Sequence, residues 1–281
     1  MINLKEGRAG FEAIGNTYPI ADEICIESTR VAGIPCTWFI PEAAPEDDIV
    51  IFIHGGAFIY GSAKSHAPMV SHIARRLERK ILLVDYRLAP EHPFPAGLND
   101  CVAVIRSIAV DRPHLRFGII GDSAGGNLAM AAQLALKEVN GPKAQYTAVI
   151  SPWVNLECNT PSYIRNQSLD LVLAQHYLLL SAKMYAPDQE LSIPLLSPVH
   201  GDFTGISPVL ILCGTSEVLE DDSYQLLQQL KSTGVKAELL LFEEQQHVWP
   251  FMKIDTDASQ QALIDIKQFA DKYSPVNSNI N

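Results

Sequence analysis

Apolar residues along the chain are grouped into eight short runs, separated by turn-forming and charged residues. The first two runs alternate apolar and polar positions, which is typical of half-exposed antiparallel strands, whereas the later runs are almost entirely apolar, as in strands buried within a parallel sheet. The pattern therefore predicts two antiparallel edge strands that lead into a parallel sheet. The eight predicted strands are residues 24–28, 34–40, 49–53, 81–84, 117–120, 146–150, 209–213 and 238–242.

Helical spacing of apolar residues alternates with the later strands and is interrupted once. The alternation predicts right-handed crossovers on a mostly parallel eight-stranded sheet with helices on both faces, within a single α/β domain, 1–281. Residues 155–207 break the alternation. Because this segment is too long for an ordinary loop, we expect it to form a helical cap together with residues 1–20. The predicted helices are residues 69–79, 98–109, 125–138, 221–233 and 258–272, with 171–185 in the cap.

The composition is that of a globular protein with an excess of acidic residues. Hydrophobic residues make up 47% of the 281 positions and charged residues 19%, which allows a large buried core. The formal net charge of -11, without any run of Lys or Arg, argues against binding to nucleic acid or to an anionic membrane. The nearest approach to a basic patch is Arg75, Arg76, Arg79 and Lys80. These residues fall near the end of a predicted helix, where cations favour the helix dipole.

The sequence carries no sign of export, of a membrane span or of a cofactor. Residues 1–20 lack the apolar core of a signal peptide, and no apolar run approaches the ~18 residues that span a bilayer. The five cysteines are odd in number and scattered, as expected for reduced thiols rather than disulfides or a zinc site. Nothing matches a phosphate loop or a metal cluster. These features predict a cytoplasmic protein without metal or cofactor.

The segment FGIIGDSAGGNLAMAAQLAL contains the pattern G-x-S-x-G around Ser123. The pattern alone is weak, but a predicted strand precedes it and a predicted helix follows, which is the setting of a nucleophile elbow. Small residues at Gly121, Ala124 and Gly125 let the chain turn sharply, so that a strained serine can project its hydroxyl above the sheet. The alternative is that Asp122 or Ser123 caps the helix. Capping does not need the flanking glycines, and Ser123 is therefore predicted to be a nucleophile.

The segment IVIFIHGGAFIYGS places two glycines directly after a buried strand. Without side chains at Gly55 and Gly56, backbone N–H groups can approach a substrate and stabilise the oxyanion of a tetrahedral intermediate, an effect worth about 3 kcal/mol per donor. The predicted oxyanion hole consists of the N–H groups of Gly56, Ala57 and Ala124, and a flexible turn after the strand is the alternative. His54 is expected to hold this loop by hydrogen bonds rather than to act as a base.

A serine nucleophile needs a histidine base, and the base needs an orienting carboxylate. On scaffolds with a nucleophile elbow, the acid follows a late strand and the histidine follows the last one. Among eight histidines only His247 follows the final predicted strand, whereas His66 is expected at a helix surface. Glu217 comes first after the preceding strand, whereas Asp221 and Asp222 can instead cap the next helix. Glu217 is the predicted acid, and Asp221 is the main alternative.

Six segments in this order resemble the bacterial hormone-sensitive-lipase-like esterases, a carboxylesterase branch of the α/β-hydrolase fold. They are HGGAF with YGS, VDYRLAPEHPFPA, GDSAGGNLA, SPWVNL, LSPVHGDFTGISPVLILCGTSEVLEDD and HVWPFM, within about residues 21–269. The resemblance implies an α/β-hydrolase fold with a cap, and a serine esterase with Ser123, Glu217 and His247 as its triad. The length and the SPWV and HVW segments are similar to the acetyl-esterase or monoterpene-lactone-hydrolase type. The resemblance also allows a homodimer.

Two residues depart from the pattern of this family. The His-Gly-Gly loop usually has a third glycine where this sequence has Ala57. Because the predicted hole uses only the N–H of that residue, we expect Ala57 to serve if its φ is negative. The acid is commonly Asp in an Asp-Pro-Leu segment, and the matching position here is Glu217, whose longer side chain must be accommodated.

The predicted substrate is a small-molecule ester with a short acyl chain. Trp153 and Phe58 are predicted to contact it. Apolar residues that can line an acyl pocket or pack the cap onto the domain are Phe11, Trp153, Tyr163, Leu171, Leu178 and Tyr185. Two alternatives are a lactone or amide hydrolase on the same scaffold, since a fold does not determine the leaving group, and a non-catalytic small-molecule binding protein. The presence of both Ser123 and His247 argues against the binding protein.

Overall fold

A mostly parallel eight-stranded sheet forms the centre of the protein. The computed structural model describes residues 3–275, so the first two residues of the predicted cap and the last six of the predicted domain lie outside the described residues. The strands are β1 (Ile24–Val31), β2 (Ile34–Pro41), β3 (Asp48–Ile53), β4 (Lys80–Val84), β5 (Arg116–Asp122), β6 (Thr147–Ile150), β7 (Val209–Gly214) and β8 (Ala237–Phe242). They lie in the order β1-β2-β4-β3-β5-β6-β7-β8, with β1 and β2 antiparallel to their neighbours and the other pairs parallel. The predicted fold class is confirmed.

Helices cover both faces of the sheet. The helices are α1 (Leu4–Ile14), α2 (Ala63–Leu77), α3 (Ala96–Asp111), α4 (Ala124–Glu138), α5 (Ser162–Arg165), α6 (Gln175–Tyr185), α7 (Glu220–Ser232), α8 (Trp249–Met252) and α9 (Asp257–Tyr273). The buried core on one face includes residues of α3, α4 and α7, and the core on the other face includes residues of α2 and α9. Within residues 3–275, no helix is both long enough and apolar enough to cross a membrane.

Five helices differ from the pattern-based prediction, since α1, α5 and α8 were not predicted and α2 and α6 begin at other residues. Helix α1 was expected only as part of the cap, and none of its residues is buried. Helix α2 begins well before residue 69 because Ser62 caps it and Pro68 is accommodated inside it. Helix α6 begins later than residue 171 because the Asp170 carboxylate accepts the N–H groups of Val172 and Leu173, which holds this stretch in a turn.

Arg79 is buried in the core instead of lying on the surface at a helix end. Helix α2 ends at Leu77, and the fully buried Arg79 guanidinium donates to Asp48 Oδ2 at 3.0 Å, to Asp271 Oδ1 at 2.8 Å and to the Ser274 carbonyl at 2.6 Å. These four residues, the Arg79 cluster, join the amino end of β3 to the end of α9. This corrects the interpretation of Arg79 as a surface cation.

Candidate active site

Ser123 lies in a strained turn between β5 and α4. Its φ of 52° and ψ of -121° fall outside the regions that residues with side chains ordinarily adopt. The turn depends on missing side chains: a Cβ on Gly121 would lie 2.5 Å from the Gly125 carbonyl oxygen, and one on Gly125 would lie 2.0 Å from the Ile53 carbonyl oxygen. The Ser123 side chain makes no capping hydrogen bond to α4. The geometry is therefore that of a nucleophile elbow and not of a helix cap.

The hydroxyl of Ser123 is hydrogen-bonded to the imidazole of His247. The distance from Ser123 Oγ to His247 Nε2 is 2.9 Å, and the distance from His247 Nδ1 to Glu217 Oε2 is also 2.9 Å. His247 follows β8 and Glu217 follows β7, as expected for a parallel sheet whose strand ends meet at one edge. The structure therefore brings together the three residues that the sequence predicted as a triad.

Glu217 is held by donors on both sides of its carboxylate. Its side chain is fully buried, and Oε1 accepts hydrogen bonds from Ser151 Oγ at 2.7 Å and from the Gly214 N–H at 2.6 Å. Ser151 Oγ in turn accepts from the N–H of Val248 at 3.0 Å. Ser151 therefore links the loop of Glu217 to the loop of His247. Its position at the end of β6 is the same signal that pointed to Ser123 and Glu217, but the sequence analysis did not single it out.

Asp221, the alternative acid, points to other partners. Its carboxylate accepts from the Ser162 N–H at 2.8 Å and from the Arg165 guanidinium at 2.8 Å. Asp222 is buried and accepts from the Asn155 N–H. Both aspartates hold the segment after β6 against α7, and neither is hydrogen-bonded to His247.

Charges around His247 shift its protonation equilibrium. Burial lowers the pKa of His247, but the hydrogen bond from its ring to Glu217 and the negative charges of Glu217, Asp170 and Asp122 together raise it above its ordinary value. The imidazolium form is therefore stabilised at this position. This is the form that a general base takes after it accepts a proton.

The glycine loop after β3 lies directly against Ser123. A Cβ on Gly55 would lie 2.3 Å from Asp122 Oδ2 and 3.0 Å from Ser123 Cβ, and the Gly55 N–H donates to Asp122 Oδ1 at 3.0 Å. Gly56 has a φ of 115°, and a Cβ there would lie 2.3 Å from the Tyr60 carbonyl oxygen. Only glycine fits both positions, and its absence of a side chain lets the loop approach the serine.

The predicted oxyanion donors have no competing acceptor in the described part of the chain. The hydrogen bonds of residues 3–275 include none from the N–H groups of Gly56, Ala57 or Ala124 to a protein acceptor. Gly56 and Ala57 line the cavity at Ser123. Ala57 has a φ of 54°, so the negative φ on which its role was made conditional is not found. It adopts the left-handed conformation that glycine would take without steric cost.

Two buried histidines support this loop. The ring nitrogen Nδ1 of His54 lies 2.8 Å from the Gly55 carbonyl oxygen, and its ring stacks on Tyr86 at 4.3 Å. Burial first, and then the neighbouring His66, lower the pKa of His54 to about 3, so His54 is neutral. His66 was expected at a helix surface. It is fully buried instead, with Nε2 3.5 Å from Asp122 Oδ2.

A cavity of about 300 Å³ opens above Ser123, between the sheet and the capping segments. Its walls are mostly apolar and include Phe11 and Ile14 of α1, Leu173, Leu178 and Phe251. Helix α1 is fastened over it by Arg8, which donates to the Ile59 carbonyl at 2.9 Å and binds both carboxylate oxygens of Glu91.

The structure places several predicted pocket residues elsewhere. Trp153 and Phe58 do not line this cavity and are fully buried, because their rings pack into the core beneath it at a centroid distance of 5.4 Å. Tyr163 and Tyr185 are buried in the same core, and Leu171 is exposed. Of the apolar set expected in the pocket, Phe11 and Leu178 line the cavity. The sequence analysis missed Tyr60 and Tyr177, which also line it.

The known proteins that are similar to this chain are α/β hydrolases, among them an acetyl-hydrolase and esterases. The model of a family described as alpha/beta hydrolase fold matches residues 50–251. An acetyl-hydrolase of Streptomyces hygroscopicus is 35% identical over 240 residues, covering 85% of this chain and 78% of that protein. An esterase of Acinetobacter venetianus is 30% identical over 264 residues, covering 90% and 87%. The crystal structure of an esterase from the bacterial hormone-sensitive lipase family superposes with a TM-score of 0.94 at 32% identity, covering 97% of this chain and 92% of that one.

Proposed function

The chain belongs to the α/β-hydrolase family, in its bacterial hormone-sensitive-lipase branch, and is a carboxylic ester hydrolase; on this basis we propose that Ser123 is its nucleophile, His247 its general base and Glu217 the carboxylate that orients the imidazole. The observation that carries the proposal is the continuous hydrogen-bonded chain from Ser123 Oγ to Glu217, with both contacts to the imidazole at 2.9 Å. General-base catalysis needs the base within about 2.6–3.2 Å of the proton donor, which this distance satisfies.

In the acylation half of the reaction, Ser123 Oγ attacks the ester carbonyl carbon while its proton moves to His247 Nε2. The carbonyl oxygen becomes an oxyanion and accepts hydrogen bonds from the N–H groups of Gly56, Ala57 and Ala124. Glu217 stabilises the imidazolium that forms and keeps the proton on Nδ1 directed towards itself. His247 then gives its Nε2 proton to the departing alkoxide as the ester C–O bond breaks, which leaves the acyl group on Ser123.

In the deacylation half, water replaces the alcohol. The same imidazole nitrogen takes a proton from the water, the water oxygen attacks the acyl carbon, and the second tetrahedral intermediate uses the same oxyanion donors. Its collapse returns a proton to Ser123 Oγ and releases the carboxylic acid.

We propose a short acyl chain for the substrate. The cavity of about 300 Å³ lies at the lower end of the volumes usual for small-molecule sites. Its apolar walls favour an alkyl group, and α1 is fastened across it by Arg8.

We also propose residues 1–20 and 155–207 as the cap of a single domain, because both segments contribute residues to the cavity wall. A cytoplasmic location and a homodimer stay predictions.

The test is a series of p-nitrophenyl esters from acetate to palmitate, measured for the wild type and for Ser123→Ala. The wild type should be fastest with short acyl chains, and the variant should lose at least about a thousandfold in kcat/KM. Mass spectrometry of the wild type, quenched during turnover, should find an acyl group on the peptide that contains Ser123. Undiminished hydrolysis by a folded Ser123→Ala protein would refute the assignment, and faster turnover of palmitate than of butyrate would refute the short acyl chain. A lactone and an anilide are included in the panel to test whether the enzyme hydrolyses lactones or amides instead.

A further inference from the structure

The cavity above Ser123 contains one polar feature that the proposed reaction does not use. Apart from Asp122, Ser123 and His247, the polar side chains among its described lining residues are those of Tyr60 and Tyr177. Tyr60 follows the glycine loop, and Tyr177 lies in α6 of the proposed cap. One hydroxyl group therefore comes from the segment after the glycine loop and the other from the proposed cap.

The two hydroxyls are hydrogen-bonded to each other. Tyr177 donates to Tyr60 with an oxygen–oxygen distance of 2.8 Å. Only 6% of Tyr60 is exposed, and its ring is fixed between Phe11, which stacks on it at 5.8 Å, and the backbone of α1, where a Cβ on Gly7 would lie 2.8 Å from the hydroxyl. Burial and then the bond to Tyr60 raise the pKa of Tyr177, so its hydroxyl stays protonated. The pair is therefore a preformed and rigid polar group in an apolar wall.

The two hydroxyl groups have one proton more than their mutual hydrogen bond uses. Each tyrosine hydroxyl brings one proton and two lone pairs, so the pair has two protons and uses one of them internally. The hydrogen bonds of residues 3–275 give the second proton, on Tyr60, no protein acceptor. This donor lies in a mostly apolar cavity wall, where a ligand oxygen that enters the cavity can accept its hydrogen bond.

We propose that Tyr60 and Tyr177 form a subsite for a second oxygen atom of the substrate, so that the enzyme favours esters carrying an ether, carbonyl or hydroxyl oxygen away from the scissile bond. The inference rests on the proposed function, since the subsite has a role only if Ser123 performs ester hydrolysis in this cavity. It narrows the substrate class from short esters in general to short esters with an additional hydrogen-bond acceptor.

The test uses pairs of esters that have the same shape and differ by one oxygen in place of a CH₂ group. On the acyl side, p-nitrophenyl methoxyacetate is paired with the butyrate and 3-methoxypropionate with the pentanoate. On the alcohol side, 2-methoxyethyl acetate is paired with butyl acetate and 3-methoxypropyl acetate with pentyl acetate. For each pair, the ratio of kcat/KM for the ether to kcat/KM for the all-carbon ester is measured. The ratio is then compared between proteins, which cancels the intrinsic reactivity of the esters.

The decisive variant is the double substitution Tyr60→Phe with Tyr177→Phe, because either hydroxyl can donate when only the other is removed. The matched control is Tyr163→Phe with Tyr185→Phe, whose buried hydroxyls have no hydrogen-bond partner within residues 3–275 and do not line the cavity. At one or more oxygen positions, the ratio should fall about fivefold in the decisive variant and stay unchanged in the control, as expected for the loss of one hydrogen bond.

One outcome would refute the tyrosine subsite, and a different outcome would refute the ester hydrolysis on which it rests. If the decisive variant hydrolyses all-carbon esters and its ratio equals that of the wild type at every oxygen position, the tyrosine pair only ties the cap to the domain and the proposal is wrong. If the wild type hydrolyses none of the esters, with or without the added oxygen, the proposed function itself fails.

Discussion

The side chain of Ser151 joins the proposed acid to the loop of the proposed base. Its hydroxyl donates to Glu217 Oε1 and accepts from the Val248 N–H, and the residue is fully buried with a φ of 49°. In Ser151→Ala, the Glu217 carboxylate loses one of its hydrogen bonds, and the Val248 N–H loses its acceptor. We expect kcat to fall roughly tenfold to a hundredfold with little change in KM, because the bond orients the triad and does not contact the substrate. Steady-state kinetics with p-nitrophenyl butyrate measures both constants.

The control for Ser151 is Ser223→Ala. Ser223 is also a fully buried serine, but its hydroxyl has no hydrogen-bond partner among the described residues. Its removal should leave kcat within about twofold of the wild type, in line with the small cost of deleting a hydroxyl that makes no bond. Equal losses in the two variants would mean that Ser151 acts only through general packing.

Glu217→Gln tests which carboxylate serves as the acid. The Gly214 N–H and the Ser151 hydroxyl both donate to the Oε1 position, so the amide oxygen of Gln must occupy it and the amide NH₂ must face His247 Nδ1. This arrangement keeps the imidazole proton on Nε2, the wrong nitrogen for a base, and kcat should fall by roughly a thousandfold or more. The matched change Asp221→Asn should leave kcat nearly unchanged. A larger loss in Asp221→Asn would transfer the role to Asp221.

The raised pKa of His247 predicts the acid limb of the pH profile. His247 can accept a proton only when it is neutral, so kcat/KM should fall as the pH drops through its pKa in the free enzyme. Burial lowers this pKa, but Glu217, Asp170 and Asp122 raise it more, so the limb should lie above the ordinary histidine value of about 6.5. The measurement is kcat/KM for p-nitrophenyl butyrate between pH 5 and 9. A midpoint below 6 would show that burial outweighs the carboxylates.

At the scale of elements, α1 offers a matched pair of glycines. A Cβ on Gly10 would contact nothing within 4 Å, whereas a Cβ on Gly7 would lie within 3.0 Å of three atoms of the Tyr60 ring and hydroxyl. Both substitutions to Ala improve helix propensity by about 1 kcal/mol, so they differ only in the clash. We expect Gly10→Ala to keep kcat/KM and raise the melting temperature slightly. Gly7→Ala should displace α1 from the cavity and raise KM for butyrate. Equal KM values for the two variants would argue against α1 as a wall of the site.

The sequence predicted best those elements that are buried on both faces, because this burial makes their apolar runs continuous. Strands β3 to β7 are buried on both faces, and their apolar runs locate them within a few residues. Helix α1 has no buried residue and is held by specific contacts of Arg8 and Phe11 instead, which periodicity does not report. The helical pattern predicted a start at residue 69, whereas Ser62 caps α2 and begins it earlier.

At the scale of the whole molecule, chain order was enough to bring Ser123, Glu217 and His247 together. Parallel strands place their carboxyl ends at one edge of the sheet, so residues that follow different strands meet there even when they are distant in sequence. Side-chain partners across the fold were not accessible in the same way. The pairing of Tyr60 with Tyr177 and the burial of Arg79 depend on long-range packing, and no local pattern distinguishes these residues from surface ones.

The Arg79 cluster predicts a stability defect that is separate from catalysis. It lies at the amino end of β3, whereas the glycine loop follows the carboxyl end of that strand, so the two are about 17–20 Å apart along the strand. In Arg79→Ala, the buried Asp48 keeps its charge and loses its main partner, with Arg116 remaining 3.9 Å away. The free energy of unfolding should fall by about 3–5 kcal/mol, while the folded variant keeps the kcat of the wild type. Urea denaturation followed by circular dichroism measures the free energy of unfolding.

The pH dependence of this defect identifies Asp48 as its cause. Burial raises the pKa of Asp48 above its ordinary value even with Arg79 present, and removal of the guanidinium should raise it further. A carboxyl group with a raised pKa in the folded state destabilises that state most when it is ionised, so the deficit of Arg79→Ala should be larger at pH 8 than at pH 5. Lys267→Ala, which removes partly exposed pairs with Glu78 and Asp271, should cost less than about 1 kcal/mol at either pH. A deficit in Arg79→Ala that is the same at both pH values would show that lost packing of the arginine, and not the unpaired carboxylate, causes it.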